Sequence, residues 1–245
     1  MSRAELSEIS EGMIDVYFAE SQKEVIDKVD IEDFITSFLG LSIEYVSFAE
    51  PDHGRIGFLS DGETPLLISR SGKIIPFVFP DKTIVLDKIL LEEKEIGRRR
   101  FTLAHEAAHY ILGKMNGMDE KAKYHSDYDK EKSYSMEELS KMFAAAEWQA
   151  DAMAACLLMP SHLIDKVMAR CVKKEKIKVY GDNILAFPDK RGIREMAKHL
   201  EVSYTSLLIR LRDLNKFEYH DIQEYISNEL NLGGTGVGCT NKERS

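Results

Sequence analysis

Phe101-Thr102-Leu103-Ala104-His105-Glu106-Ala107-Ala108-His109-Tyr110-Ile111-Leu112-Gly113 is the stretch on which the reading of this chain turns. Phe101, Ala104, Ala108 and Leu112 recur at spacings of three and four, and no Pro or Gly interrupts the run before Gly113. That periodicity predicts a helix. Residues i and i+4 share a helical face, so His105 and His109 can bring two imidazole nitrogens to one ion. Glu106 lies about 100° further round. From there it can reach a water at an open coordination position, the arrangement a catalytic zinc uses. Three fixed positions in five residues also arise by chance. The apolar flanks and the small Ala107 and Ala108 favour the metal, because a histidine pair on a largely buried helix is costly without a partner.

A catalytic zinc takes a third protein ligand. The candidate lies in Glu147-Trp148-Gln149-Ala150-Asp151, within a second apolar helical run that stops at Pro160. Glu147 and Asp151 are again i and i+4. Alone, they read as carboxylates on a solvated helix edge. Beside the histidine helix, Glu147 is read as a ligand and Asp151 as the acceptor that orients a ligating imidazole through its second nitrogen.

The run from Arg99 to Glu106, with Glu147-x-x-Ala150-Asp151-x-Met153-Ala154-Ala155 and Leu157-Leu158-Met159-Pro160, resembles the ImmA/IrrE family of zinc metallopeptidases. The resemblance is strongest over about residues 80–215, and Met153 stands where members typically carry Phe. It implies a gluzincin-like site with His105, His109 and Glu147 on Zn2+ and Glu106 as general base. It also implies a narrow protein substrate, a helix-turn-helix repressor of a mobile element or a stress response in a bacterium.

The 245 residues allow one large domain, or a catalytic domain with a small appendage. With 44% hydrophobic and 31% charged residues the chain reads as globular, and its net charge of −9 argues against general electrostatic binding of nucleic acid. Cys156, Cys171 and Cys239 have no paired spacing, so neither a disulfide framework nor a cysteine metal site is expected. No apolar run approaches 18 residues and the first residues lack a signal-peptide pattern, so a cytoplasmic protein without membrane contact is expected.

The expected fold is α+β: a helical zincin-like core with a small mixed or antiparallel sheet, and a helix-turn-helix-like subdomain after it. Its divisions are an N-terminal helical segment (1–40), a metallopeptidase domain (41–180), the helical subdomain (181–232) and a disordered tail (233–245). Residues 41–87 read as β, with a hairpin across Ser71-Gly72. Ile84, Val85 and Leu86 are expected to be an edge strand that pairs with extended substrate. The turn residue His53 is read as a surface side chain. Arg98, Arg99 and Arg100 are expected to be solvated or paired with Glu92, Glu93 and Glu95.

The polar stretch from Lys114 to Leu139 is too long for a plain connector and suggests a lid. Tyr124, His125, Tyr128 and Tyr134 within it, and His162 beyond it, are candidate oxyanion donors, each with a surface role as the blander reading. A calcium loop echoed by Asp127, Asp129, Glu131 and Glu138 is disfavoured, because Lys132 occupies the place of the required Gly. Residues 192–216 have a helix-turn-helix shape, so DNA contact through Arg210 and Arg212 stays open, although a structural role is favoured. Phe217–Leu232 reads as a last helix.

These readings point to a zinc endopeptidase that cuts a specific protein. The rivals are a DNA-binding regulator with a non-catalytic metal site, and a module that sequesters a repressor without cutting it.

Overall fold

Thr83–Asp87 (β5) is flanked on both sides. Ser42–Val46 (β1) pairs with it in parallel, from Ser42 opposite Thr83 to Val46 opposite Asp87. Gly57–Leu59 (β2) pairs with it antiparallel, Gly57 opposite Leu86 and Leu59 opposite Ile84. The sheet is therefore mixed, in the order β1-β5-β2. This corrects the expected role of Ile84, Val85 and Leu86. They form the central strand, are fully buried, and have their backbone groups engaged on both sides, so a substrate cannot pair with them. A continuous Ile-Val-Leu run suits a strand covered on both faces.

The computed structural model describes residues 1–21, 27–49, 56–115, 136–228 and 230, with the side chains of 136–145 and 228 outside that description. His53 and Cys239 lie outside it. So do residues 116–135 of the expected lid, with Tyr124, His125, Tyr128, Tyr134 and the Asp127–Glu131 part of the calcium echo.

Leu66–Arg70 (β3) and Lys73–Phe77 (β4) form the expected hairpin. Ser71 and Gly72 both take positive φ, 52° and 75°, as a two-residue hairpin turn requires. The hairpin joins the continuation of β1 through an isolated bridge between Phe48 and Ile68. With Phe79 and Val85 it closes a small second core.

The main core runs from Leu6 to Leu211. Arg3–Ser21 (α1) packs on Met136–Leu158 (α4), which packs in turn on Ile96–Met115 (α3). Ala104, Ala107 and Ala108 of α3 and Ala150 and Ala154 of α4 are fully buried. Side chains this small let two helices approach at the short end of the usual 8–10 Å axial spacing. Met153 is also fully buried and fills its place as a flexible apolar plug. Between α1 and β1, Ile31–Asp33 (α2) continues as a π-helical turn, Phe34–Phe38, and the chain leaves through Gly40 at φ 69°.

After Ser161–Cys171 (α5) come Ile177–Tyr180 (β6), Ile184–Leu185 (β7), Phe187–Leu200 (α6), Tyr204–Asp213 (α7), Phe217–His220 (β8) and Ile222–Asn228 (α8). The order β7-β6-β8 makes a third sheet that the sequence reading missed. Phe217–His220 was expected to be helical. Instead it pairs in parallel with β6, Ile177 opposite Phe217 through Tyr180 opposite His220.

Helices α6 and α7 meet at Glu201, whose φ of 53° ends α6, and at Ser203, whose hydroxyl caps α7 through Ser206 N–H at 3.0 Å. Arg210 does not face solvent. It is 3% exposed and donates to Met159 O (2.9 Å) and to Glu11 of α1 (3.0 Å). A guanidinium held this way cannot read DNA, which corrects the role considered for it. The three arginines at the start of α3 are all engaged. Arg98 lies 3.9 Å from Glu95 and Arg99 lies 3.5 Å from Glu32, while Arg100 donates to Val29 O at 2.7 Å. No single described helix is long and apolar enough to cross a membrane.

Candidate metal centre

Helix α3 presents two neighbouring stripes to two different partners. His105 and His109, one turn apart, face α4. Thr102 and Glu106, also one turn apart, face β2, where an added Cβ on Gly57 would touch both.

On the α4 side, Nε2 of His105 and Nε2 of His109 are 3.0 Å apart. The Glu147 carboxylate stands 3.3 Å from the first and 3.5 Å from the second. Among the described residues, these three are brought together as a group able to hold a metal ion. An ion about 2.0–2.1 Å from each donor, in tetrahedral geometry, spaces the donors about 3.3 Å apart. The observed separations fit that spacing. Two imidazoles and a carboxylate, with no thiolate, form a donor set suited to a borderline divalent ion.

Asp151, one turn beyond Glu147, receives a hydrogen bond from Nδ1 of His105 at 2.9 Å. That bond fixes the tautomer and turns Nε2 towards the other donors. Burial by itself would lower the His105 pKa. The acceptors Asp151 and Glu147 outweigh it and raise the pKa to about 10. Hydrogen bonds from His105, and next His109, hold the Glu147 carboxyl well below the usual carboxylate range, against the opposing effect of burial. A metal ion therefore competes with a proton for this cluster.

Glu106 is 5% exposed. Its carboxylate lies against the backbone of β2, not in the Glu147–Asp151 row. Phe101 sits beside His105 with ring centroids 6.5 Å apart. His162, considered as an oxyanion donor, is placed in the first turn of α5 against α1: its Nδ1 is 3.7 Å from Asp15 and its ring meets the Phe18 ring edge-on. It is not one of the grouped donors.

A family model of the IrrE N-terminal-like domain, Peptidase_M78, matches residues 88–212. The chain belongs to that family. No curated protein matches it. Peptidase_M78 membership implies a metallopeptidase with a metal ion and a protein substrate, and the His105–His109–Glu147 group is a place for the ion. The matched segment begins just after β5 and ends one residue before the end of α7. It contains both helices that carry the His105–His109–Glu147 group and leaves β2, with Gly57, outside.

Sequence reasoning missed the contact between Gly57 and Glu106. A glycine at the head of a short strand carries no periodic signal, and nothing in the spacing ties residue 57 to residue 106.

Proposed function

We propose that this chain is a zinc-dependent endopeptidase that hydrolyses a peptide bond in a specific protein. The observation that carries the reading is the His105–His109–Glu147 group at tetrahedral donor spacing, with buried Glu106 on the adjoining stripe of the same helix. His105, His109 and Glu147 would hold the ion, and Asp151 would orient His105. Zinc bound there would lower the pKa of a water and polarise the scissile carbonyl. Glu106 takes the proton from the attacking water as its oxygen bonds to the carbonyl carbon. It then delivers that proton to the amine nitrogen as the C–N bond breaks.

An extended substrate has β2 to pair with. Asp87 N–H bonds to Ile56 O (3.0 Å) and Ser60 N–H to Thr83 O (2.8 Å). Antiparallel alternation then turns the backbone groups of Gly57 and Leu59 away from β5. The ImmA/IrrE resemblance supports a bacterial helix-turn-helix repressor as the protein cut, and an intracellular site of action. The chain would be organised as segments 1–40, 41–180 and 181–232 around one core that spans all three, followed by a tail at 233–245.

The test has two parts. Elemental analysis should find about one zinc per chain in the wild type and a marked loss in Glu147→Ala. Incubation with candidate repressors should give discrete fragments that disappear with Glu106→Gln, while that variant keeps its metal. Full metal retention in Glu147→Ala sinks the ligand set. An intact, stably bound partner after long incubation would replace cleavage with sequestration.

A further inference from the structure

Gly57 takes no unusual backbone conformation. Its φ lies outside the positive range, and it sits in regular register opposite Leu86. Backbone freedom therefore does not account for a glycine here. Space does. A Cβ built on Gly57 would lie 2.5 Å from Thr102 Cγ2, 2.8 Å from Glu106 Oε1 and 3.3 Å from Glu106 Cγ. Real Cβ atoms essentially never come within 3.0 Å of such atoms, so the Thr102 methyl, the Glu106 carboxylate or the strand would have to move.

Thr102 and the strand itself have no easy retreat. The Thr102 hydroxyl donates to Arg98 O at 3.0 Å, which holds its methyl group towards β2. Strand β2 cannot lift freely, because Ile56 and Ser60 on either side of it are bonded to β5. The group left to yield is the Glu106 carboxylate.

We propose that Gly57 is a positioning residue for Glu106. The missing side chain at 57 leaves the recess in which the Glu106 carboxylate rests, and so sets how far that carboxylate stands from the metal group. The proposal rests on the reading of Glu106 as the base beside the ion. It adds a determinant that lies outside the family-matched segment.

The test uses the full chain loaded with Co2+, whose visible bands report on the surroundings of the open coordination position. Four proteins are compared at one pH: wild type, Glu106→Gln, Gly57→Ala and Gly57→Ala/Thr102→Ser. Serine keeps the hydroxyl that bonds to Arg98 O and removes the methyl closest to the added Cβ. The expected result is about one cobalt per chain in all four. The Gly57→Ala bands move in the same direction as those of Glu106→Gln, and the double variant returns part of the way to wild type.

Gly57→Ala bands that coincide with wild type, while those of Glu106→Gln differ, overturn the positioning role and leave the base assignment standing. Unchanged bands in Glu106→Gln overturn the base assignment, and the positioning role with it. If Gly57→Ala alone does not fold, the double variant is compared with Thr102→Ser. A remaining displacement supports the proposal and coincident spectra overturn it.

Discussion

Asp151 Oδ1 lies 2.9 Å from His105 Nδ1, on the opposite side of the imidazole from the Nε2 that faces His109 and Glu147. Glu147 on α4 therefore completes a group able to hold a metal ion, and the residue one turn later bonds to one of its histidines. Asp151→Ala is expected to weaken metal affinity by about 10–100-fold without unfolding the protein. Competition against a chelator measures this. A change of less than about twofold would remove Asp151 from the supporting role.

Trp148 is the only tryptophan in the chain and directly follows Glu147. It is 40% exposed, with the Arg3 guanidinium 5.6 Å from its ring centroid. Its emission should therefore report on the neighbouring ion. Co2+ is expected to quench it in a saturable one-site titration, and Glu147→Ala should flatten the curve. Quenching that survives in Glu147→Ala would place the ion elsewhere.

Glu11 accepts from Ser7 (3.1 Å), Arg210 (3.0 Å) and the Ser161 hydroxyl. Burial would raise its pKa, but these donors, with Ser161 foremost, outweigh burial and lower it below 4.5. A carboxylate with a depressed pKa stabilises the fold fully above its unfolded value, and that stability is lost as pH falls through the folded value. Glu11→Gln should cost about 1–3 kcal/mol at neutral pH, less than for a fully buried pair because Glu11 is partly exposed. In urea unfolding, the gap to wild type should narrow as pH drops below 4.5. A gap that stays constant down to strongly acidic pH would contradict this account.

Cys156 is 5% exposed, and burial pushes its thiol pKa up. It should resist alkylation in the native protein and react only on unfolding. Peptide mapping after a short native labelling pulse checks this. Prompt modification of Cys156 would mean that the α1–α4 contact opens readily.

The cluster of His105, His109, Glu147 and Asp151, three of which could hold a metal ion, lies in two local pairs. His105 with His109, and Glu147 with Asp151, are each one helical turn apart, and helical periodicity is the strongest signal a sequence carries. What could not be read was set by long-range pairing. Thr83-Ile84-Val85-Leu86 looks the same as an edge or as a centre until β1 and β2 are placed beside it. Phe217–His220 is a four-residue strand whose ladder partner among the described residues is Ile177–Tyr180, forty positions earlier, and no local pattern marks it. Arg210 looks like a surface cation until Glu11 of the first helix is found beneath it.

That last pairing bears on modular exchange. The segment that defines the family, residues 88–212, carries a buried guanidinium whose acid lies at residue 11 and a buried carboxylate whose recess lies at residue 57. Grafted alone into another scaffold, it would arrive with one charge stranded and one buried carboxylate without its recess. Residues 1–21 and 42–60 are expected to have to travel with it, and the helical circular dichroism of the two grafts would show whether they do. Sequence similarity marks where the chemistry is written, and the cooperative unit that makes the chemistry possible extends beyond it.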